Sequence, residues 1–170
     1  FQYRVDQGSF FQVNRWLVDE LVETVTNGLS GGLAWDLFAG VGLFARKLAE
    51  KFERVIAVEA AATAGLEENL RGTNASALKA TTLEFLQRKP KSERPDAIVV
   101  DPPRTGLGAE TTALLAEIAA PELIYVSCDP ATLARDLRAL VGAGYAIEQV
   151  TLADLFPQTF HLETVVRLRR

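Results

Sequence analysis

One cysteine, Cys128, stands in the run YVSCDPATLARDL, where an apolar strand-like stretch gives way to a helical pattern. Asp129 is placed to cap that helix and Pro130 to occupy its first turn. Amide groups and dipole at a helix start favour a thiolate, so the position predicts a cysteine of lowered pKa and raised reactivity. Cysteine is also among the most commonly buried residues, and by itself Cys128 would read as packing. Its place at a strand end, beside other chemically loaded strand ends, favours a nucleophile. The second reactive group is Glu163 in DLFPQTFHLETVV, a carboxylate inside an otherwise apolar closing strand. Strand alternation puts His161, Glu163 and Val165 on one face and Leu162, Thr164 and Val166 on the other. A thiol and a carboxylate supply a nucleophile and a proton acceptor. One histidine without other support reads as a structural or rim residue rather than the partner of a Cys-His hydrolase.

Two further strand ends have the makings of a ligand site. In DLFAGVGLFA, Asp36 to Ala45, Gly40 and Gly42 permit a tight turn and close backbone approach, and the next strand ends in Glu59, spaced to accept hydrogen bonds from ribose hydroxyls. A glycine turn followed by an acidic residue is a nucleoside half-site. Gly40-Val41-Gly42-Leu43-Phe44-Ala45 also satisfies the dinucleotide fingerprint, so that motif leaves a nicotinamide cofactor and S-adenosylmethionine both open. Asp36 before the turn and Asp101 at a later strand end suit a ligand with a sulfonium and an amino group, and suit a pyrophosphate poorly. The prolines of Asp101-Pro102-Pro103-Arg104 fix a rigid extended loop just outside the sheet. Adenine-amino methyltransferases often carry an aromatic residue where this chain has Arg104.

These residues need a scaffold, and the periodicity supplies one. Apolar β-rich runs alternate with helical patterns, which predicts a parallel sheet covered by helices on both faces. Strands are expected over Leu33–Phe38, Arg54–Glu59, Ala77–Leu83, Asp96–Val100, Leu123–Ser127, Ala146–Leu152 and Leu162–Leu168. Helices are expected over Asn14–Asn27, Val41–Phe52 (with its turn), Ala61–Arg71, Glu110–Ala119 and Ala131–Val141. No helix separates the last two strands, so they should pair antiparallel. The expectation is an α/β Rossmann-like sheet of seven strands, mostly parallel with an antiparallel last strand, and ligands beyond the carboxyl ends of the strands.

At 170 residues the chain has room for one domain, and 48% apolar with 24% charged residues describes a folded protein. No apolar run reaches the length of a membrane span, and FQYRVDQGSF lacks the order of a signal peptide, so a cytoplasmic location is the default expectation. A single cysteine excludes an intrachain disulfide and a multi-cysteine metal site; no metal is expected. The balance of 18 basic against 22 acidic residues has the wrong sign for a stand-alone nucleic-acid binder. RNA affinity would have to come from a local patch or from another domain. The absence of methionine, even at position 1, suggests an excised fragment or an engineered chain.

Taken in order, GSFFQVN, DLFAGVGLFA, VEA, DPPRTGL, SCDPATLARDL and DLFPQTFHLETV resemble the RNA uracil-5-methyltransferase family from Gly8 to Val166. The resemblance implies a class I methyltransferase fold and the formation of 5-methyluridine in tRNA or ribosomal RNA with S-adenosylmethionine as cofactor. It implies that Gln12, Phe38, Leu43, Glu59 and Asp101 border the cofactor, with Asp36, Gly40 and Gly42 shaping the turn, and that Cys128 is the nucleophile and Glu163 the base. Thr82 falls where relatives often have asparagine beside the adenine, and Asp129 where asparagine is usual. Phe156, Phe160 and Arg104 are candidates for holding an unstacked base. The family usually carries an amino-terminal RNA-binding domain and a central insert, and neither is recognisable in this chain; Arg167, Arg169 and Arg170 are too small a basic end to replace them. A monomer is expected. Two other classes stay open: a non-catalytic cofactor-binding or RNA-positioning module, and a nicotinamide oxidoreductase.

Overall fold

The computed structural model describes residues 3–5, 16–61, 63–89, 92–155, 158–159 and 162–170. Thirteen elements alternate along them: α1 (Val18–Thr26), β1 (Gly31–Leu37), α2 (Leu43–Leu48), β2 (Phe52–Glu59), α3 (Ala64–Leu70), β3 (Ala75–Lys79), α4 (Thr82–Arg88), β4 (Ala97–Val100), α5 (Ala109–Ile118), β5 (Glu122–Ser127), α6 (Pro130–Gly142), β6 (Ala146–Ala153) and β7 (Glu163–Arg169). The sheet runs β3-β2-β1-β4-β5-β7-β6. Every neighbouring pair from β3 to β5 is parallel, and β7 enters antiparallel between β5 and β6. This is the seven-stranded sheet with one antiparallel last strand that the alternation predicts.

Residue periodicity explains the layering. Val18, Leu21, Val22 and Val25 follow helical spacing and bury one side of α1. They join Leu43, Phe44 and Leu48 of α2, Leu66 and Leu70 of α3, and one parity of the strands: Ala34, Val55, Ala57, Ala97, Val99, Ile124, Val126 and Val165. The opposite parity, with Trp35, Leu37, Val58, Ile98, Val100, Leu123, Tyr125, Val166 and Leu168, packs against α4, α5 and α6. The central β4, AIVV, is buried throughout because both of its faces are covered. No helix of the described residues is long and apolar enough to cross a membrane.

One element departs from expectation. The strand predicted over Ala77–Leu83 is β3 at Ala75–Lys79, and Thr82 opens a separate helix, α4. The reason is a capping box. The Thr81 hydroxyl accepts from the Glu84 N–H at 3.2 Å while a Glu84 carboxylate oxygen accepts from the Thr81 N–H at 3.0 Å. These reciprocal bonds satisfy free donors at the helix start and outweigh the β-propensity of two adjacent threonines. Thr82 is therefore a buried helical residue rather than a strand residue.

Candidate functional site

Strand parity collects the chemistry on one face. Asp36 continues the parity of Ala34, Glu59 that of Val55 and Ala57, Asp101 that of Ala97 and Val99, and Cys128 that of Ile124 and Val126. All four lie at or just past the carboxyl ends of parallel strands, on the side covered by α1, α2 and α3. Glu163 reaches the same edge from the other direction. Because β7 is antiparallel, its first residue lies where β5 ends. The ladder ends where Ser127 pairs with Thr164, so Cys128 and Glu163 are the next residues along the two chains, and the Glu163 charge acts on the Cys128 thiol. Residues directly opposite on antiparallel strands share a face, so a register continued by one residue puts thiol and carboxyl on the same face.

The glycine turn is built from three left-handed residues, Phe38 (φ 67°), Gly40 (φ 55°) and Gly42 (φ 88°). Phe38 bears a side chain in that region, a conformation that costs on the order of 1 kcal/mol and that surrounding bonds must hold. The neighbouring Ala39 N–H donates to the Val58 carbonyl at 2.9 Å, and the Gly40 N–H to a Glu59 carboxylate oxygen at 2.8 Å. The other Glu59 oxygen accepts from the Ala61 N–H at 2.7 Å. A carboxylate has about four lone-pair positions, so this one is aimed across the turn with acceptor capacity left for hydroxyls. Asp36 braces the turn from beneath: fully buried, its Oδ2 accepts from the Ala45 N–H at 2.8 Å at the start of α2, and its Oδ1 has no hydrogen-bond partner. Gly42 is a packing glycine, since a Cβ there would meet Leu66 Cδ1 at 2.8 Å. Leu43 beside it is buried, whereas Phe38 is half-buried at the rim.

These groups act on one another electrostatically. Burial raises Asp36 from 3.8 to about 7, with the Glu59 charge adding to it against the Ala45 hydrogen bond. Burial, then Glu163 and Asp36, raise Asp101 to about 8. Burial alone raises Glu163, which is 4% exposed at the head of β7. The Cys128 thiol is pushed up as well, by burial first and then by Glu163, against a hydrogen bond and a favourable charge from Arg104. This corrects the expectation of a lowered thiol pKa. Asp129 caps α6 as the sequence predicts, but its own carboxylate accepts the Thr132 N–H at 2.8 Å, so that amide is spent on the cap and not on the thiol. The cation that favours the thiolate is Arg104, from the loop after β4. What results is a row of acids held toward their protonated forms, a setting in which a cationic ligand would be strongly favoured.

Several predicted residues fall elsewhere. Gln12, Phe156, Phe160 and His161 lie outside the described residues. Thr82 begins α4, past the end of β3. The small basic end of the chain lies away from these residues, as its place on β7 implies: Arg167 and Arg169 both pair with Glu122, Arg169 also with Glu148, at the opposite edge of the sheet. Arg170, beyond the end of β7, donates to the Ala116 carbonyl at 2.9 Å. Among the described residues no group of three His, Cys, Asp or Glu side chains could hold a metal ion.

Comparison with known proteins finds similarity to RNA methyltransferases. Residues 88–170, which carry Asp101, Arg104, Cys128 and Glu163, match the family model described as tRNA (Uracil-5-)-methyltransferase. An uncharacterised RNA methyltransferase of Thermotoga maritima is 38% identical over 98% of this chain and 39% of its own length. One from Streptomyces avermitilis is 37% identical over 98% of this chain and 40% of its own. The crystal structure of Pyrococcus abyssi tRNA (uracil-54, C5)-methyltransferase in complex with S-adenosyl-L-homocysteine superposes with a TM-score of 0.85 at 30% identity, covering 98% of this chain and 41% of that one. The chain thus spans about two-fifths of the length of the relatives it matches.

Proposed function

We propose, on the premise that this chain belongs to the RNA uracil-5-methyltransferase family, that its 170 residues form one S-adenosylmethionine-dependent catalytic domain that methylates carbon 5 of a uridine in tRNA or ribosomal RNA. The observation that carries this reading is that Cys128 and Glu163 follow the last pair of the β5–β7 ladder and act on one another, with Asp101 and Asp36 acting within the same group.

The residues fit the cofactor. Glu59 has acceptor capacity for ribose hydroxyls, while Asp36 and Asp101 are acids whose raised pKa values a sulfonium and an ammonium group would relieve. When bound, S-adenosylmethionine would supply an electrophilic methyl group, the methyl–sulfur bond breaking and S-adenosylhomocysteine leaving. Carbon 5 of uracil is too weak a nucleophile to accept it unaided, and the protein's task is to change that. The Cys128 thiolate, favoured by Arg104, adds to carbon 6 and leaves an enolate whose carbon 5 takes the methyl group. Glu163 then accepts the carbon 5 proton. The electron pair of that C–H bond restores the ring double bond as the carbon–sulfur bond breaks, returning the thiolate. Burial suits Glu163 to this step, because a carboxylate of raised pKa is the stronger base.

The test has two stages. Calorimetric titration with S-adenosylmethionine should give saturable binding that Asp101→Ala weakens, whereas NADH should not bind; NADH binding in its place would refute the cofactor assignment. Incubation with S-adenosylmethionine and 5-fluorouridine-substituted tRNA or ribosomal RNA transcripts should then leave a covalent adduct at Cys128, since fluorine at carbon 5 blocks the final proton removal. A protein that binds the cofactor and methylates unsubstituted transcripts, yet forms no adduct with the fluorinated ones, would overturn the cysteine mechanism.

A further inference from the structure

The loop that brings Arg104 to Cys128 is fastened along its length by one face of α6. Thr132, Arg135 and Asp136 have the i, i+3, i+4 spacing of a single helical face. The Thr132 hydroxyl donates to the Arg104 carbonyl at 3.1 Å, and the Arg135 guanidinium to the Thr105 carbonyl at 2.9 Å. Asp136 Oδ2 accepts from the Leu107 N–H at 2.7 Å and from the Tyr125 hydroxyl of β5 at 2.8 Å. Three successive attachment points on the loop therefore meet three residues of one helix, and Tyr125 ties the assembly to the strand that ends at Cys128.

Asp136 is the unusual member. It is 2% exposed on the inner face of α6, between Leu133 and Leu140, where an apolar side chain would pack at no electrostatic cost. A buried carboxylate is retained only where its bonds are satisfied, and here Arg135 adds Nε and a terminal nitrogen to Oδ1, each at 2.9 Å. Gly106 shows how tightly the parts fit. It has φ +73°, and a Cβ there would stand 2.6 Å from Asp136 Oδ2 and 2.7 Å from an Arg135 nitrogen.

Resting on the assignment of Cys128 as nucleophile, we infer that Thr132, Arg135 and Asp136 form a positioning clamp that holds Arg104 against the thiol and so sets how much thiolate is present. The side chains that act on the thiol are Glu163 from β7 and Arg104 and Asp101 from the segment after β4; Asp129, the next residue in the chain, is engaged with the Thr132 N–H. Arg104 is the one of these that favours the thiolate, and the clamp holds the backbone of the segment that carries it.

The signs of two effects make this testable. Removing the negative charge of Asp136 would, by direct Coulomb action, favour the thiolate. Releasing Arg104 does the reverse. Cys128 is the one cysteine of these 170 residues, so iodoacetamide alkylation followed by intact mass reads a single site in this chain, without cofactor or RNA. The quantity to compare is the pH midpoint of the alkylation rate, which follows the thiolate population, whereas the limiting rate follows access. Asp136→Ala should move the midpoint upward, slowing alkylation near neutral pH about two- to fivefold, the range an exposed charge contact supports. Gly106→Ala, which opens the clamp without changing charge, should do the same, and Thr132→Val should do so to a lesser extent. Should Asp136→Ala fail to fold, these two carry the test. In an Arg104→Ala background, itself shifted upward, none should add a further shift. An unchanged or lowered midpoint in the clamp variants, or a shift that persists without Arg104, would overturn the clamp. Because no methyl transfer is measured, a failure of the methyltransferase reading would show in the adduct experiment and leave this result untouched.

Discussion

The row of acids at the carboxyl edge makes stability depend on pH in a direction opposite to that of most carboxylates. Asp36 and Asp101 have an ordinary value of 3.8 and folded values of about 7 and about 8. A folded pKa raised above the unfolded one means that the native state binds more protons than the unfolded chain throughout the interval between. Stability is then fully present below about pH 4 and is lost as pH rises toward 7 and 8, at up to about 1.4 kcal/mol per pH unit for each group. Between about pH 5.5 and about pH 7.5, stability falls at nearly the full slope through Asp101 and at somewhat less through Asp36. Since the two charges also act on each other, the combined loss is about 2–4 kcal/mol. Glu163, also raised, acts with the same sign. Glu84 and Asp129 are lowered, so their contributions are present above the ordinary carboxyl range and fade only in stronger acid, outside this window. Urea unfolding at the two pH values should therefore give a lower midpoint at the higher pH, with the m-value unchanged. The double variant Asp36→Asn/Asp101→Asn should largely flatten that dependence, because asparagine does not titrate. Wild-type stability that is level or rises across the interval would refute the argument that burial holds these acids protonated.

Three smaller perturbations test other parts of the design. Glu163→Gln removes a charge that pushes the Cys128 thiol up, so the pH midpoint of Cys128 alkylation should fall; a midpoint that stays or rises would show that the two groups do not interact. Gly42→Ala forces a side chain into φ +88° and against Leu66, which should lower unfolding stability by about 1–2 kcal/mol in urea titrations. Thr81→Ala removes the acceptor that caps α4 and should cost about 1 kcal/mol by the same measurement, with Cys128 alkylation unaffected because α4 packs on the other face of the sheet.

Much of this architecture is legible in the sequence because it rests on counting by two. In a pleated strand, an acid at the end of an apolar run belongs to the same face as the residues two and four before it, so Asp36, Glu59, Asp101 and Cys128 can be assigned a common face from spacing once the strands are recognised. Glu163 needs one more piece of knowledge, the antiparallel sense of the last strand, and the lack of a helical pattern in the sequence between the last two predicted strands supplies it. Misread features share a different cause. The capping box at Thr81 was present as a T-x-x-E pattern but competed with a β-like composition around it, and the local hydrogen bonds prevailed. The thiol's raised pKa depends on how deeply Cys128 is covered and on which amide Asp129 occupies, quantities that no spacing rule contains. The clamp on α6 lies between these cases. The spacing of Thr132, Arg135 and Asp136 marks a polar stripe on a helix, ordinarily read as a solvated face. Only the fold reveals that the stripe faces the loop carrying Arg104, and that the buried acid within it reaches a tyrosine on the strand leading to the thiol.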